Sequence, residues 1–261
     1  MHVDGFTYGL MTPALAYIMS CTGSALGLQS MSRARAVDGW PRRRWLTLGA
    51  VSIGGTGIWV MHFVAMLGFT VPGVDIAYDV PMTIASLVAS VLVVGLGLVI
   101  VVRGDGTPKA LLAGGTLTGC GVAGMHYLGM AAMHMPAVLS YDPGLVTLSV
   151  VIAVIAATVA LWFTLNIRGA LATAGAALVM GVAVCGMHYT GMSALHVNVP
   201  TMHMDTAAGA SASGLLTPLI IGISISTVLM MLVVALAPTE KELREEVALE
   251  GYVAKLQAAR H

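Results

Sequence analysis

A chain of 261 residues that is 57% hydrophobic and only 9% charged belongs in lipid, because soluble domains carry about 25% charged residues. Its formal net charge is zero, which argues against nucleic acid as a partner. Cys21, Cys120 and Cys185 sit in apolar runs without CxxC spacing, so they define no disulfide framework and read as packing residues.

The first eight residues carry Asp4 but no basic cluster, so the apolar run after them is a poor signal peptide and is expected to stay in place. That run covers residues 9–29, and six more follow at 45–69, 81–102, 110–134, 145–166, 171–196 and 215–237, none containing Asp, Glu, Lys or Arg. Each is long enough to cross a hydrocarbon core of about 30 Å as a helix. All twelve basic residues fall in alternate connections: Arg33, Arg35 and Arg42 to Arg44 in the first, Arg103 and Lys109 in the third, Arg168 in the fifth, and Lys241, Arg244, Lys255 and Arg260 in the tail. The other connections carry Asp75, Asp79, Asp142 and Asp205 instead. By the positive-inside rule, this predicts an all-α integral membrane protein of seven transmembrane helices, N-terminus outside and C-terminus cytoplasmic.

One motif recurs three times, as Met61-His62-Phe63-Val64-Ala65-Met66, Met125-His126-Tyr127-Leu128-Gly129-Met130 and Met187-His188-Tyr189-Thr190-Gly191-Met192. The spacings of 64 and 62 residues match one helical hairpin, so the chain reads as an internal repeat. Tyr78-Asp79 before the third span echoes Tyr141-Asp142 before the fifth, and Met11-Thr12 echoes Met82-Thr83. Three tandem hairpins in one topology imply a pseudo-threefold arrangement about the membrane normal, with the seventh helix outside the pattern. Spans two, four and six are the glycine-rich ones, and small residues let helices approach closely. They are expected to form the inner layer and to bring the motif histidines together.

Four residues along a helix turn the face by about 40° and rise about 6 Å. His62 with Met66, His126 with Met130, and His188 with Met192 are therefore stacked pairs. The stripe continues to His134 and His196, with Thr70 in the first copy, but eight residues rise about 12 Å. These two histidines are thus expected to form an outer layer, joined by Met133, Met135 and the Met202-His203-Met204 cluster. Imidazole with thioether suits copper, Cu(I) above all and Cu(II) on oxidation, better than zinc. Asp79, Asp142, Tyr127 and Tyr189 are candidates to orient the imidazoles. A single histidine in an apolar helix ordinarily packs and hydrogen-bonds, but ionisable groups inside a membrane are functional by default. His2 and His261 are terminal and are given no role.

In these residues the chain resembles the MHYT domain family of bacterial membrane sensors. The motif stands complete at Met187-His188-Tyr189-Thr190, departs at Leu128 in the second copy and at Phe63 and Val64 in the first, and keeps Met and His in all three. The resemblance covers about residues 6 to 237. It implies a domain of the bacterial cytoplasmic membrane that binds copper near the outer face and senses a diatomic gas such as oxygen, carbon monoxide or nitric oxide. Such domains often precede cytoplasmic diguanylate cyclase, phosphodiesterase or DNA-binding output modules.

After Pro238, Thr239-Glu240-Lys241-Glu242 has the form of a capping box. Residues 1–237 are thus expected to form the sensor domain and 238–261 a cytoplasmic amphipathic helix or signalling linker. That helix is where an output domain or partner would couple. The sequence has no Ser-His-Asp, P-loop or paired-carboxylate pattern, so no enzyme is expected. The rival readings are a copper or other cation transporter or channel, and a haem-binding membrane redox protein.

Overall fold

The computed structural model describes residues 7–198 and 209–258. The sequence feature Met202-His203-Met204 lies outside them. Helix α1 runs Met11–Ala34, α2 Gly39–Met66, α3 Val80–Arg103, α4 Pro108–Ala131, α5 Pro143–Asn166, α6 Ala170–Ser193, α7 Ala212–Leu236 and α8 Glu240–Ala258. Five of these runs, α2, α3, α5, α6 and α7, are long and apolar enough to cross a bilayer. Helices α1 and α4 are as long as α3, but their sequences are diluted by Ser and Thr in one and Gly in the other.

Helices α1 to α6 pack in succession and α6 returns to α1, which closes a ring of three hairpins. The interior of this ring was expected from α2, α4 and α6 alone. Instead the first hairpin contributes both helices. The apolar stretch of α2 is 89% buried, and α1 buries Ser20, Gly23, Ser24 and Gly27 against it. A Cβ on Gly23 would strike the backbone of Gly57, and one on Gly54 would meet the Ser90 carbonyl at 2.8 Å. Only glycine allows these crossings. The same stretch of α2, Val51–Val60, is wound as a π-helix, a departure that often marks functional sites. Helix α7 lies outside the ring against α1 and α2, with Thr56 Oγ1 and Thr227 Oγ1 2.6 Å apart.

The hairpins share one closure. The carbonyl six residues after each motif histidine accepts a backbone N–H from the segment leading into that hairpin's first helix. Gly68 takes Thr7 at 3.1 Å, Ala132 takes Asp79 at 2.9 Å and Ala194 takes Asp142 at 2.9 Å. Asp79 and Asp142 then cap α3 and α5, their Oδ1 accepting from Met82 N at 2.7 Å and Leu145 N at 2.8 Å. Short strands flank these ties. They are β1 (Ala77–Tyr78), β2 (Met133–His134), β3 (Val138–Tyr141), β4 (Leu195–Asn198) and β5 (Ala210–Ser211). β1 pairs antiparallel with β2 and β5, and β3 pairs with β4.

Two expectations are corrected here. The motif helices stop at Met66, Ala131 and Ser193, about a turn short of the apolar runs, because the chain passes into turns after the first and into β2 and β4 after the others. At the opposite end several basic residues expected in connections lie on helices. Arg33 is in α1, Arg42 to Arg44 are in α2, and Arg103 and Lys109 are in α3 and α4.

Candidate metal centre

The three motif histidines occupy equivalent places near the closed ends of α2, α4 and α6, and all are fully buried. Their rings converge. His62 Nδ1 lies 3.0 Å from His188 Nδ1 and 3.1 Å from His126 Nδ1. Ring centroids are 4.9, 4.9 and 5.1 Å apart, and the planes meet at 81 to 87°. Among the described residues, the three offer ligand atoms all within 4.8 Å of one another.

Protons alone leave this cluster under-satisfied. A neutral imidazole carries one N–H and one lone pair on opposite ring nitrogens. His62 Nδ1 therefore cannot donate to one neighbour while accepting from the other. The Nε2 atoms of His62 and His126 are also buried without a hydrogen-bond partner, a costly condition for a polar group. A cation at the centre would take three Nδ1 lone pairs together. Metal–nitrogen bonds of about 2.0 Å set imidazole nitrogens about 3.3 to 3.5 Å apart in tetrahedral or trigonal geometry, close to the separations seen here. The residues present fit a three-imidazole metal centre.

Each ring is braced by its neighbours. His62 stands edge-on to Phe63 at 4.7 Å, and His126 and His188 to Tyr127 and Tyr189 at 4.9 Å. Because Phe63 makes the same ring contact as the tyrosines, the first copy needs no phenol for it. The rings also rest on glycines of the next repeat. A Cβ on Gly129 would meet His62 Nε2 at 2.5 Å, and one on Gly191 would strike His126 Nε2. These glycines were missed in the sequence, although both stand three residues after a motif histidine. The equivalent residue of the first repeat is Ala65.

The other expected site residues are placed as follows. Met66 and Met130 are buried and Met192 is half buried, each one helical turn beyond its histidine. His134 and His196 are exposed and sit on β2 and β4 opposite Ala77 and Ser140. They do not continue a helical stripe, because the helices have already ended. His196 Nδ1 is 3.1 Å from the Ala194 carbonyl oxygen. Asp79 and Asp142 cap helices rather than orient imidazoles, and Tyr127 OH meets Ser149 Oγ at 2.7 Å. All three cysteines are free, Cys120 exposed and the others half buried.

Below the histidines lies an apolar cavity of about 50 Å³, lined by Ile58, Val122, Ala157, Met180, Ala183 and Met187 among others. Thr118 and Thr164 also border it, but their hydroxyls bond to the Val93 and Leu161 carbonyls at 3.4 and 2.6 Å.

The sequence matches the MHYT family, described as a bacterial signalling protein N-terminal repeat, at residues 55–114, 119–177 and 181–244. Each matched unit joins one motif helix to the helix after it, so the third includes α7 and the first leaves α1 out. In space, however, it is α1 that stands beside α6 and completes the ring. Among curated proteins, the chain is 37% identical to the bifunctional diguanylate cyclase/cyclic di-GMP phosphodiesterase MucR of Pseudomonas aeruginosa, over 92% of this chain and 36% of that protein. It is 35% identical to the cyclic di-GMP phosphodiesterase NbdA of the same organism, over 82% of this chain and 29% of that protein. It is 32% identical to the signaling protein YkoW of Bacillus subtilis, over 78% and 26%. The chain thus spans about a third of the length of these relatives. No solved structure matches it.

Proposed function

The chain belongs to the MHYT family of bacterial signalling proteins, and from that premise we propose that it is a copper-dependent sensor of a diatomic gas or of redox state. It is a multi-pass protein of the bacterial inner membrane, and we read it as seven spans with the histidines toward the outer face. The observation that carries the proposal is the convergence of His62, His126 and His188 through Nδ1 in a buried site. Met66, Met130 and Met192 follow one turn on as further soft ligands, and His134 and His196 form an accessory outer site. Imidazole and thioether favour copper over zinc, and copper so held supplies an open coordination position and a change of oxidation state.

The residues around the site serve that role. Burial excludes water from the imidazoles, Phe63, Tyr127 and Tyr189 fix the ring planes, and Gly129 and Gly191 let two rings approach the axis. The apolar cavity beside Met187 offers an apolar gas a place to accumulate within reach of the centre, since apolar cavities of this kind take up small apolar species. A change at the histidines would pass along α2 to α7 and α8, where a cyclic di-GMP enzyme module or a partner would read it.

Elemental analysis of purified protein tests this directly. Copper is expected at or near one ion per chain and is expected to be lost in His126→Ala and His188→Ala. Copper content unchanged in both variants would refute the assignment. A Soret band would favour the haem reading, and uptake into proteoliposomes the transporter.

A further inference from the structure

The end of the bundle remote from the histidines gathers the basic residues, and a second site is built there. A cleft of about 400 Å³ opens where α1, α2, α3 and α5 meet, with Arg35, Arg42, Val102, Asp105, Trp162 and Leu165 in its lining. Arg35 Nη2 donates to the Ile167 carbonyl at 3.1 Å and stands 4.0 Å from Glu240. Its Nε and Nη1 are buried with no hydrogen-bond partner. Arg42 Nη1 donates to Asp38 at 3.2 Å, while its Nε is likewise buried and unpartnered. The Arg35 side chain is only 13% exposed. Three guanidinium nitrogens are therefore withdrawn from water with nothing to receive their protons, which is costly unless an anion completes them.

The protein's own carboxylates do not fill that role. Glu240 is already held by Arg244 at 2.8 Å and Arg168 at 3.2 Å, both nearer than Arg35. Asp38 takes a different nitrogen of Arg42, and Asp105 is the one carboxylate of the lining. Planar guanidinium forks match phosphate oxygens. Val101, Val102 and Leu165 add apolar side chains to the lining beside the polar Asn166, and Trp162, 46% exposed near the end of α5, stands where aromatic side chains meet the headgroup region. Phosphate donors with aliphatic side chains and a tryptophan beside them, at the edge of a membrane helix bundle, match a phospholipid better than a soluble anion.

We propose that this cleft binds the phosphate of an anionic phospholipid headgroup, with Arg35 and Arg42 as the phosphate ligands. The site is independent of the metal centre. Because Arg35 also faces Glu240 at the start of α8, a phosphate that draws on Arg35 weakens its hold on Glu240, so lipid occupancy bears on the tail helix.

The test uses the full chain, delipidated in non-ionic detergent, with melting followed by tryptophan fluorescence. It is titrated with dioleoylphosphatidylglycerol, dioleoylphosphatidylcholine or inorganic phosphate. Phosphatidylglycerol should raise Tm saturably and phosphatidylcholine should not. Arg42→Gln and Arg35→Gln should raise the half-saturating concentration about tenfold or more, the effect of one charge-assisted hydrogen bond. Lys109→Gln, a basic residue outside the cleft, should leave it unchanged. Should Arg35→Gln fail to fold, Arg42→Gln decides, since its side chain is 35% exposed. An equal response to both lipids, or one untouched by the arginine variants, overturns the proposal. A matching effect of inorganic phosphate keeps the phosphate ligands and overturns the lipid source.

Discussion

At the histidines, position depends on what is missing beside them. A methyl group on Gly191 would occupy the place of His126 Nε2, and one on Gly129 that of His62 Nε2. Each ring would have to turn, carrying its Nδ1 away from the axis. We therefore expect Gly191→Ala and Gly129→Ala to lower metal affinity by about 10- to 100-fold, the range for residues that orient ligands, while helix content measured by circular dichroism is kept. Ala65→Gly should leave affinity within about twofold, because the first repeat already tolerates a methyl there. Competition titration with a chelator reads all three, and equal losses in the three variants would remove the orienting role. The histidines themselves were legible because a buried ionisable residue recurring at hairpin spacing has no ordinary packing explanation. The glycines were not, since a glycine in a membrane helix signals close approach without saying to what. Asp79 and Asp142 misled for a related reason. An acidic residue before an apolar run serves equally well as a helix cap or an imidazole partner, and the chain uses it as the cap.

Among the elements, the helices could be read from apolar runs and the strands could not. A two-residue strand has no period of its own, and its partner lies in another hairpin or across the same one. That is why His134 and His196 were assigned to helices that end before reaching them. The caps do the same work in the second and third hairpins, so Asp79→Ala and Asp142→Ala should each destabilise by about 1 kcal/mol, seen as matching falls in Tm. Unequal falls would mean that the two closures are not equivalent. The tail helix has a cap of another kind. Glu242 Oε2 accepts from Thr239 N at 2.7 Å and Thr239 Oγ1 at 2.9 Å, and Glu242 N donates back to Thr239 Oγ1 at 3.3 Å. Those bonds, the backbone one first, hold the Glu242 carboxyl below its ordinary value of 4.5. A depressed carboxyl stabilises the fold above the unfolded pKa, and that stability is lost as pH falls through the lower, folded one. A spin label at Tyr252→Cys should therefore be immobile at pH 6 and loosen only below pH 4.5, and Glu242→Gln should abolish that dependence.

For the molecule as a whole, the ring of three hairpins followed from repeated motifs, whereas the attachment of α7 and α8 had no repeat to announce it. One buried cation joins both helices to the ring. Arg33, 7% exposed, donates to Val234 O at 2.8 Å, Pro238 O at 3.0 Å and Gln29 O at 3.2 Å, and its guanidinium lies 5.3 Å over the Trp45 ring. It thus ties α1 and α2 to the last carbonyls of α7 and to the turn before α8. The Val234 carbonyl is in the last turn of α7, where no intrahelical donor can reach it, and the Pro238 carbonyl lies in the turn beyond. Removing the guanidinium leaves them unmet, at a cost of about 1–3 kcal/mol for each that stays buried. If movement at the histidines reaches the tail through this tie, Arg33→Gln should keep the metal, since the histidine end is untouched, yet release α8. The spin label at position 252 would then gain mobility and stop responding when the metal is removed by chelation. Loss of metal in the same variant would mean instead that Arg33 holds the ring itself together. A label that still responds to chelation would place the route elsewhere, through the Thr56 and Thr227 contact of α2 with α7.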